Sequence, residues 1–378
     1  MPRADRIRGS CRWHLSDANR YACKVDNVTN RPGTIDAVDR VATLAAPVEA
    51  AVSPQLAKGP LRVGVLSNPL SGGNSGGLEK VQRILAECPH AVHRTAHSPV
   101  GIAAALAELS REQVDMVAIN GGDGTIQAVL TALFNQQLFD HFPLLAVLRA
   151  GTDSIIARDV GLRGSRDRAL KVLLNWANTR AGHAELIQRT VMRLDGTGKR
   201  SPLYGFIFGA ASIYQGILFC HRQVYRLGLH GEIAPSLTLV RFLLALASRG
   251  RNYLAAEPMR LRLDRGPATE QDYVFLLVTT LERLFLGMRP FWGEEKAPLH
   301  YTAVASQYRH LASALPAIIR GRKGRYGRAD CGYFSHNVHE IELCFAGGFT
   351  VDGELYQPAC SRRSIVIKEG GQVFFLQL

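Results

Sequence analysis

Ile119-Asn120-Gly121-Gly122-Asp123-Gly124-Thr125-Ile126-Gln127-Ala128-Val129-Leu130 is the stretch on which the reading of this chain turns. The residues leading into it, Val114 to Asn120, form a short apolar run with strand character. Those leaving it, Ala128 to Phe134, carry the apolar spacing of a buried helix face. The glycines therefore occupy a strand-to-helix turn on the carboxyl edge of a parallel sheet, where open α/β folds bind ligands. Free amides at the start of the helix favour an anion there.

Working outward, strands are expected at Leu61–Leu66, Ala91–Ala96 and Pro143–Arg149, with helices over Leu78–Ala86 and Gly101–Ser110. Strands alternating with helices of about ten residues argue for a parallel sheet covered on both faces. Beyond about Ala181 the pattern becomes mostly antiparallel β. Strand-like stretches recur at Gln188–Arg193, Tyr204–Phe208, Met259–Leu263, Tyr273–Thr280, Leu299–Ala305, His339–Phe345 and Ser364–Phe375. Helical patterns intrude at 210–228, 235–248 and 307–319. The expected organisation is a poorly ordered extension over 1–58 and an α/β nucleotide-binding domain over 59–180. A β-rich substrate domain follows over 181–360, and C-terminal strands over 361–378 have the option of returning to the first domain.

The chain has 378 residues, 47% hydrophobic and 20% charged, the proportions of an ordinary globular protein with room for two cores. No apolar run is long enough for a membrane span, and the arginine-rich start lacks a following apolar core, so a cytoplasmic location is expected. Seven scattered cysteines without a close pair suggest neither zinc nor a disulfide framework. The net charge of +13 bears on partners rather than fold. Its densest cluster, Arg320-Gly321-Arg322-Lys323-Gly324-Arg325-Tyr326-Gly327-Arg328, reads as a solvated loop or as a contact with an anionic membrane surface. A single tyrosine there is too little for a nucleic-acid platform, so no nucleic acid is expected.

Three glycine-containing turns each follow a strand and precede a helix: Asn68-Pro69-Leu70-Ser71-Gly72-Gly73-Asn74-Ser75-Gly76-Gly77, Gly121-Gly122-Asp123-Gly124-Thr125 and Ala150-Gly151-Thr152-Asp153-Ser154. All three can converge on one sheet edge, where glycine lets backbone amides approach phosphate oxygens. The hydroxyls of Ser71, Thr125 and Thr152 add donors. With Val351-Asp352-Gly353-Glu354 far along the chain, this combination resembles the diacylglycerol kinase catalytic family, which includes sphingosine, ceramide and bacterial lipid kinases. The resemblance covers roughly residues 60–378.

That resemblance implies a three-layer α/β domain for ATP, a β-rich domain for the lipid, and a cleft between them. It implies that Asn68, Ser71, Gly72, Gly121, Gly122, Asp123, Gly124, Thr125, Gly151 and Thr152 surround the nucleotide. Asp123 would face Mg2+, with Asp352 or Glu354 across the cleft. Asp123 and Asp352 are both candidates for the base that accepts the acceptor's proton, with Asp352 preferred. Read without the family, Asp123 would cap the helix at Thr125, and Asp352-Gly353 would be an ordinary hairpin turn.

The implied activity is transfer of the γ-phosphoryl group of ATP to a diacylglycerol-like or sphingoid lipid by a peripherally membrane-associated enzyme, with a homodimer left open. Two departures stand against it: Ala128 occupies a position the family fills with glutamate, and Ser154-Ile155 replaces an Asn-Asp pair. A non-catalytic lipid- or nucleotide-binding relative is therefore one alternative, and an NAD kinase, with which Gly-Gly-Asp-Gly-Thr is shared, is another.

Overall fold

The computed structural model describes residues 59–150, 154–227, 256–284, 287–357 and 364–378. The expected extension over 1–58 and the expected helix at 235–248 lie outside the described residues.

The first lobe is built from β1 (Val63–Ser67), α1 (Glu79–Ala86), β2 (Ala91–Thr95), α2 (Pro99–Arg111), β3 (Met116–Gly121), α3 (Asp123–Gln136), β4 (Leu144–Arg149), α4 (Ile155–Val160) and α5 (Arg166–Thr179). Strands β4, β3, β1 and β2 lie side by side in that order, all parallel. Period-two alternation divides each strand between two helical layers. Val117 and Ile119 of β3 pack with Leu106, Leu109, Val129 and Ile156 from α2, α3 and α4. Met116 and Ala118 pack with Val81, Ile84, Leu173 and Trp176 from α1 and α5. Every β3 residue is buried, as a doubly covered parallel strand requires. This is the three-layer α/β lobe expected from the alternation of elements.

The second lobe contains β5 (Glu185–Asp195), β6 (Leu203–Gly205), β7 (Ile207–Ala211), α6 (Ser212–Leu227), β8 (Glu257–Leu263), β9 (Thr269–Thr279), β10 (Leu299–Ala305), α7 (Leu311–Ile319), β11 (Tyr333–Val338), β12 (Glu340–Cys344), β13 (Phe349–Val351), β14 (Glu354–Tyr356) and β15 (Ile365–Gln377). Its pairings are antiparallel, and its core gathers Phe208, Met259, Leu276, Tyr301, Ile341, Phe349 and Ile367. No helix among the described residues is long and apolar enough to cross a membrane.

The last strand belongs to both cores. Ile365 and Ile367 pack in the second lobe, whereas Val373 and Phe375 pack among the helices of the first. Phe375 also pairs in parallel with Leu145 of β4, which joins the two sheets edge to edge. The register shifts at Glu369/Gly371, where Gly371 has φ +121° and Gly370 lies so close to Arg193 that a Cβ would come within 2.8 Å of its side chain.

Three elements differ from the sequence reading. The strand expected at Tyr204–Phe208 is broken at Phe206, whose amide turns to a carboxylate instead of a neighbouring strand. The strand expected at His339–Phe345 is present as β12, but β11, ending just before it at Val338, was not expected. The helix expected from 307 begins at Leu311, because His310 takes a left-handed conformation at φ +57°.

Candidate active site

The first two glycine-rich turns are tied together by their own side chains. Asn68 Nδ2 donates to Thr125 Oγ1 at 2.9 Å, and the Gly122 amide donates to Ser71 Oγ at 3.2 Å. Asn74, 2% exposed, donates to the carbonyls of Asn68 at 2.7 Å and Asn120 at 3.2 Å. Arg166, from α5, then donates to Gly73 O at 2.9 Å and to Asn74 Oδ1 at 2.7 Å. The Gly73 amide donates to Ala150 O at 2.6 Å, bringing the first turn against the entrance of the third. A Cβ on Gly73 would sit 2.4 Å from that carbonyl oxygen, so only glycine permits this approach.

Asn68, Ser71 and Thr125, expected as ligand donors, thus also brace the turns. Gly72 begins a short 3-10 turn over Gly72–Asn74. Gly122 is the N-cap of α3, and a Cβ added to it would meet nothing within 4 Å. Of the amides opening α3, that of Thr125 donates to Gly122 O at 3.0 Å, whereas those of Asp123 and Gly124 have no acceptor within the helix, which leaves donors for an anion beside this open backbone. Gly151 and Thr152 lie outside the described residues.

Asp123 does not cap its own helix, as the family-independent reading had it. Its Oδ1 accepts the Ser154 hydroxyl proton and the Ile156 amide at 3.3 Å, while Oδ2 accepts the Ile155 amide at 2.9 Å. Ser154 Oγ in turn accepts the Ala157 amide at 2.9 Å as the N-cap of α4. The carboxylate of α3 therefore secures the start of α4, and the lone pair left on Oδ2 is what remains for a metal ion. Loss of solvent pushes the Asp123 pKa up to about 6, against the lowering influence of Ser154, Ile155 and Ile156.

Asp352 comes from the hairpin between β13 and β14, where Asp352 and Gly353 take φ values of +48° and +87°. Two successive left-handed residues between the paired Val351 and Glu354 form the tight turn that Asp-Gly favours. The hairpin reading is therefore borne out by this dipeptide. The Asp352 side chain is 5% exposed and points inward: Oδ1 accepts the Ile207 amide at 2.8 Å, and both oxygens meet the Phe206 amide at 3.0 and 3.1 Å. Burial raises its pKa well above the usual carboxylate range, and the charges of Asp123 and Glu354 raise it further, against the two amides.

Glu354 closes the gap between lobes. A Cβ on Gly124 would lie 2.1 Å from Glu354 Oε1, so the second lobe reaches the first through a space only glycine leaves. Beside it Tyr356 has its pKa pushed up to about 12 by burial and by the charges of Glu354 and Asp352, with Gln127 as a hydrogen-bond partner. Lower on α3, Thr131 Oγ1 bonds the Tyr204 amide at 3.1 Å, and Asn135 Nδ2 donates to Pro202 O at 2.9 Å. Gln127, Thr131 and Asn135 recur every fourth residue and make a polar seam against the second lobe.

The structure thus brings Asp123, Asp352, Glu354 and the first two turns to one edge. Asn74, Arg166, Gln127 and Tyr356 were not singled out from sequence. Only Asn74, an amide within a glycine-rich turn, carried a local signal.

The fold and this edge define an α/β lobe with a glycine-lined turn, faced by carboxylates from an antiparallel β lobe. Residues 62–186 match the family model described as diacylglycerol kinase catalytic domain, which agrees with the resemblance the motifs carry. A solved structure described as "A putative diacylglycerol kinase from Bacillus anthracis str. Sterne" is similar at a TM-score of 0.54 and 18% identity, covering 85% of this chain and 98% of that one. A second, described in the same terms and from the same organism, gives 0.55 and 18% over 85% and 97%. A third, described as a diacylglycerol kinase from that organism, gives 0.52 and 16% over the same shares. At these identities the neighbours establish the fold, including its β lobe. No curated protein matches the sequence.

Proposed function

We propose that this protein is a lipid kinase that transfers the γ-phosphoryl group of ATP to the hydroxyl of a diacylglycerol-like or sphingoid lipid. The observation that carries this reading is Asp352, a buried carboxyl of raised proton affinity held across the cleft from the Gly121–Thr125 turn. A base that accepts an alcohol proton gains from a pKa lifted toward neutrality. The amides of Phe206 and Ile207 fix its direction, so it needs no reorganisation when the acceptor arrives.

The nucleotide's phosphates would lie at the open backbone of Gly122 and the first amides of α3, with Arg166 and Asn74 holding the neighbouring turn in shape. The residues fit Mg2+ brought by phosphates. No group of three or more His, Cys, Asp or Glu among the described residues could hold a metal ion alone. Glu354, exposed at the cleft, and the remaining Oδ2 lone pair of Asp123 offer the one or two carboxylate contacts such an ion uses. When bound, Mg2+ supplies neutralisation of phosphate charge. The protein's own residues align the phosphates, receive the proton and hold the lobes together.

The second reading, a non-catalytic relative, is favoured by Ser154 and Ile155, whose hydroxyl and amide engage Asp123 instead of facing a ligand. Incubation with γ-labelled ATP, Mg2+ and a panel of diacylglycerols, ceramides and sphingoid bases separates the two. Labelled lipid is expected. Nucleotide binding without transfer to any acceptor would establish the second reading.

A further inference from the structure

The end of β9 meets the active-site edge, and the chain that follows leads to a basic surface. Thr279 Oγ1 and the Thr280 amide donate to Phe206 O at 2.9 and 3.1 Å, while the Phe206 amide holds Asp352. Leu281 is buried and Leu284 packs against the core of the first lobe. By Arg289 the chain has reached the far end of α7, where the Arg289 amide donates to Ile319 O at 2.9 Å.

At that end Arg289, Arg320, Arg322, Lys323 and Arg325 are all exposed. Among the described residues none of them forms an ion pair, whereas Arg328 is paired with Asp330. The turn carrying them is well bonded. The amides of Gly321 and Arg322 donate to Ile318 O and Ala317 O at 2.9 Å, and the Gly327 amide donates to Lys323 O at 2.9 Å. Gly321 and Gly324 take left-handed conformations at φ +69° and +59°. Beside the cations the last turns of α7 show Pro316 exposed and Leu315 and Ile319 half-buried. Tyr326 is half-buried against His310, with ring centroids 4.5 Å apart, and the Arg325 guanidinium lies over its ring at 5.6 Å, so the one aromatic of the turn is already engaged within the protein.

We propose that this face, the C-terminal end of α7 with the turn through Arg325, docks on an anionic bilayer surface. Clustered cations that no carboxylate among the described residues neutralises complement anionic headgroups, although Arg320 Nη1 donates to Pro316 O at 2.9 Å, and the partly exposed Leu315, Pro316 and Ile319 suit the headgroup boundary. The covalent path from β9 sets this contact at the other end of the connection that supports the Asp352 carboxylate.

The full-length protein, without nucleotide or acceptor, is sedimented with phosphatidylcholine vesicles and with mixed phosphatidylcholine–phosphatidylglycerol vesicles over a salt series. Binding is expected only to the mixed vesicles, weakening with salt. Each of Arg320→Gln, Arg322→Gln, Lys323→Gln and Arg325→Gln should lower partitioning about fivefold. The fourfold variant should lose measurable binding, whereas Arg163→Gln/Arg168→Gln/Lys171→Gln, at and before α5, should keep it. Circular dichroism verifies folding, and the single variants carry the test if the fourfold one does not fold. Equal binding to neutral vesicles, insensitivity to salt, an equal loss in the α5 variant, or tighter binding to RNA at the same salt overturns the proposal. The result is independent of whether phosphoryl transfer occurs.

Discussion

Asp123, the first residue of α3, accepts the hydroxyl proton of Ser154, the N-cap of α4, so that a carboxylate carried by one helix secures the start of the next. Ser154→Ala removes the cap on the Ala157 amide and one of Asp123's three donors together. A loss of about 1–2 kcal/mol is expected from denaturant unfolding. Ser154→Asn, which keeps a capping side chain, should recover most of it. An unchanged midpoint in the alanine variant would show that the contact contributes nothing to stability.

The same carboxylate predicts a pH dependence. Its folded pKa of about 6 exceeds the ordinary 3.8, so between those values the folded state binds more protons than the unfolded state. Its contribution is therefore greatest below about pH 4, falls as pH rises to about 6, and is flat above; the fall is at most about 3 kcal/mol. Urea unfolding at both ends of that window should show wild type losing stability relative to Asp123→Asn as pH rises. A relative gain would contradict the burial of this group.

Gly124→Ala separates site geometry from folding. Alanine favours the helix by about 1 kcal/mol over glycine, yet its methyl would occupy the place of Glu354 Oε1. That oxygen ends a flexible side chain and can swing away. Thermal stability should hold or rise while transfer to lipid falls at least tenfold. Full activity would remove Glu354 from the site.

Arg166→Ala leaves Gly73 O and Asn74 Oδ1 without their guanidinium donor. The first turn should loosen, raising KM for ATP roughly ten- to a hundredfold, the cost of a charged hydrogen bond, with less effect on kcat. A fall in kcat at constant KM would place this arginine nearer the reaction than the geometry does.

Asp352→Asn keeps the volume of the side chain and removes the proton acceptor. The chemical step should slow by about 10²–10⁴-fold with ATP affinity little changed, measured by single turnover beside nucleotide titration. An equal loss of ATP binding would make Asp352 a support for the nucleotide rather than the base.

The first lobe was legible because its signals are local. Met116–Gly121 is buried throughout and followed at once by glycines, so strand, turn and helix are written within a few residues of one another. The second lobe yielded most of its strands, but not β11, β13 or β14 and not the break within β6–β7. Phe206 interrupts a continuous apolar run because its amide is wanted by Asp352, 146 residues away. Arg166 gave no local sign of its place, since its partners Gly73 and Asn74 lie 93 and 92 residues off.

The sequence by itself determined the alternation of strands and helices, the position of two glycine-rich turns at the sheet edge and the family resemblance, because periodicity, glycine and caps act over short spans. Tertiary structure decided which carboxylates do what. Asp123 turns to α4 rather than to its own helix because the Ser154, Ile155 and Ile156 donors reach it there. Asp352 becomes more than a hairpin residue because folding takes it out of water and places it near Asp123 and Glu354, where desolvation and like charge raise its proton affinity. Neither burial nor the charge of a distant neighbour exists until the two lobes have closed on one another.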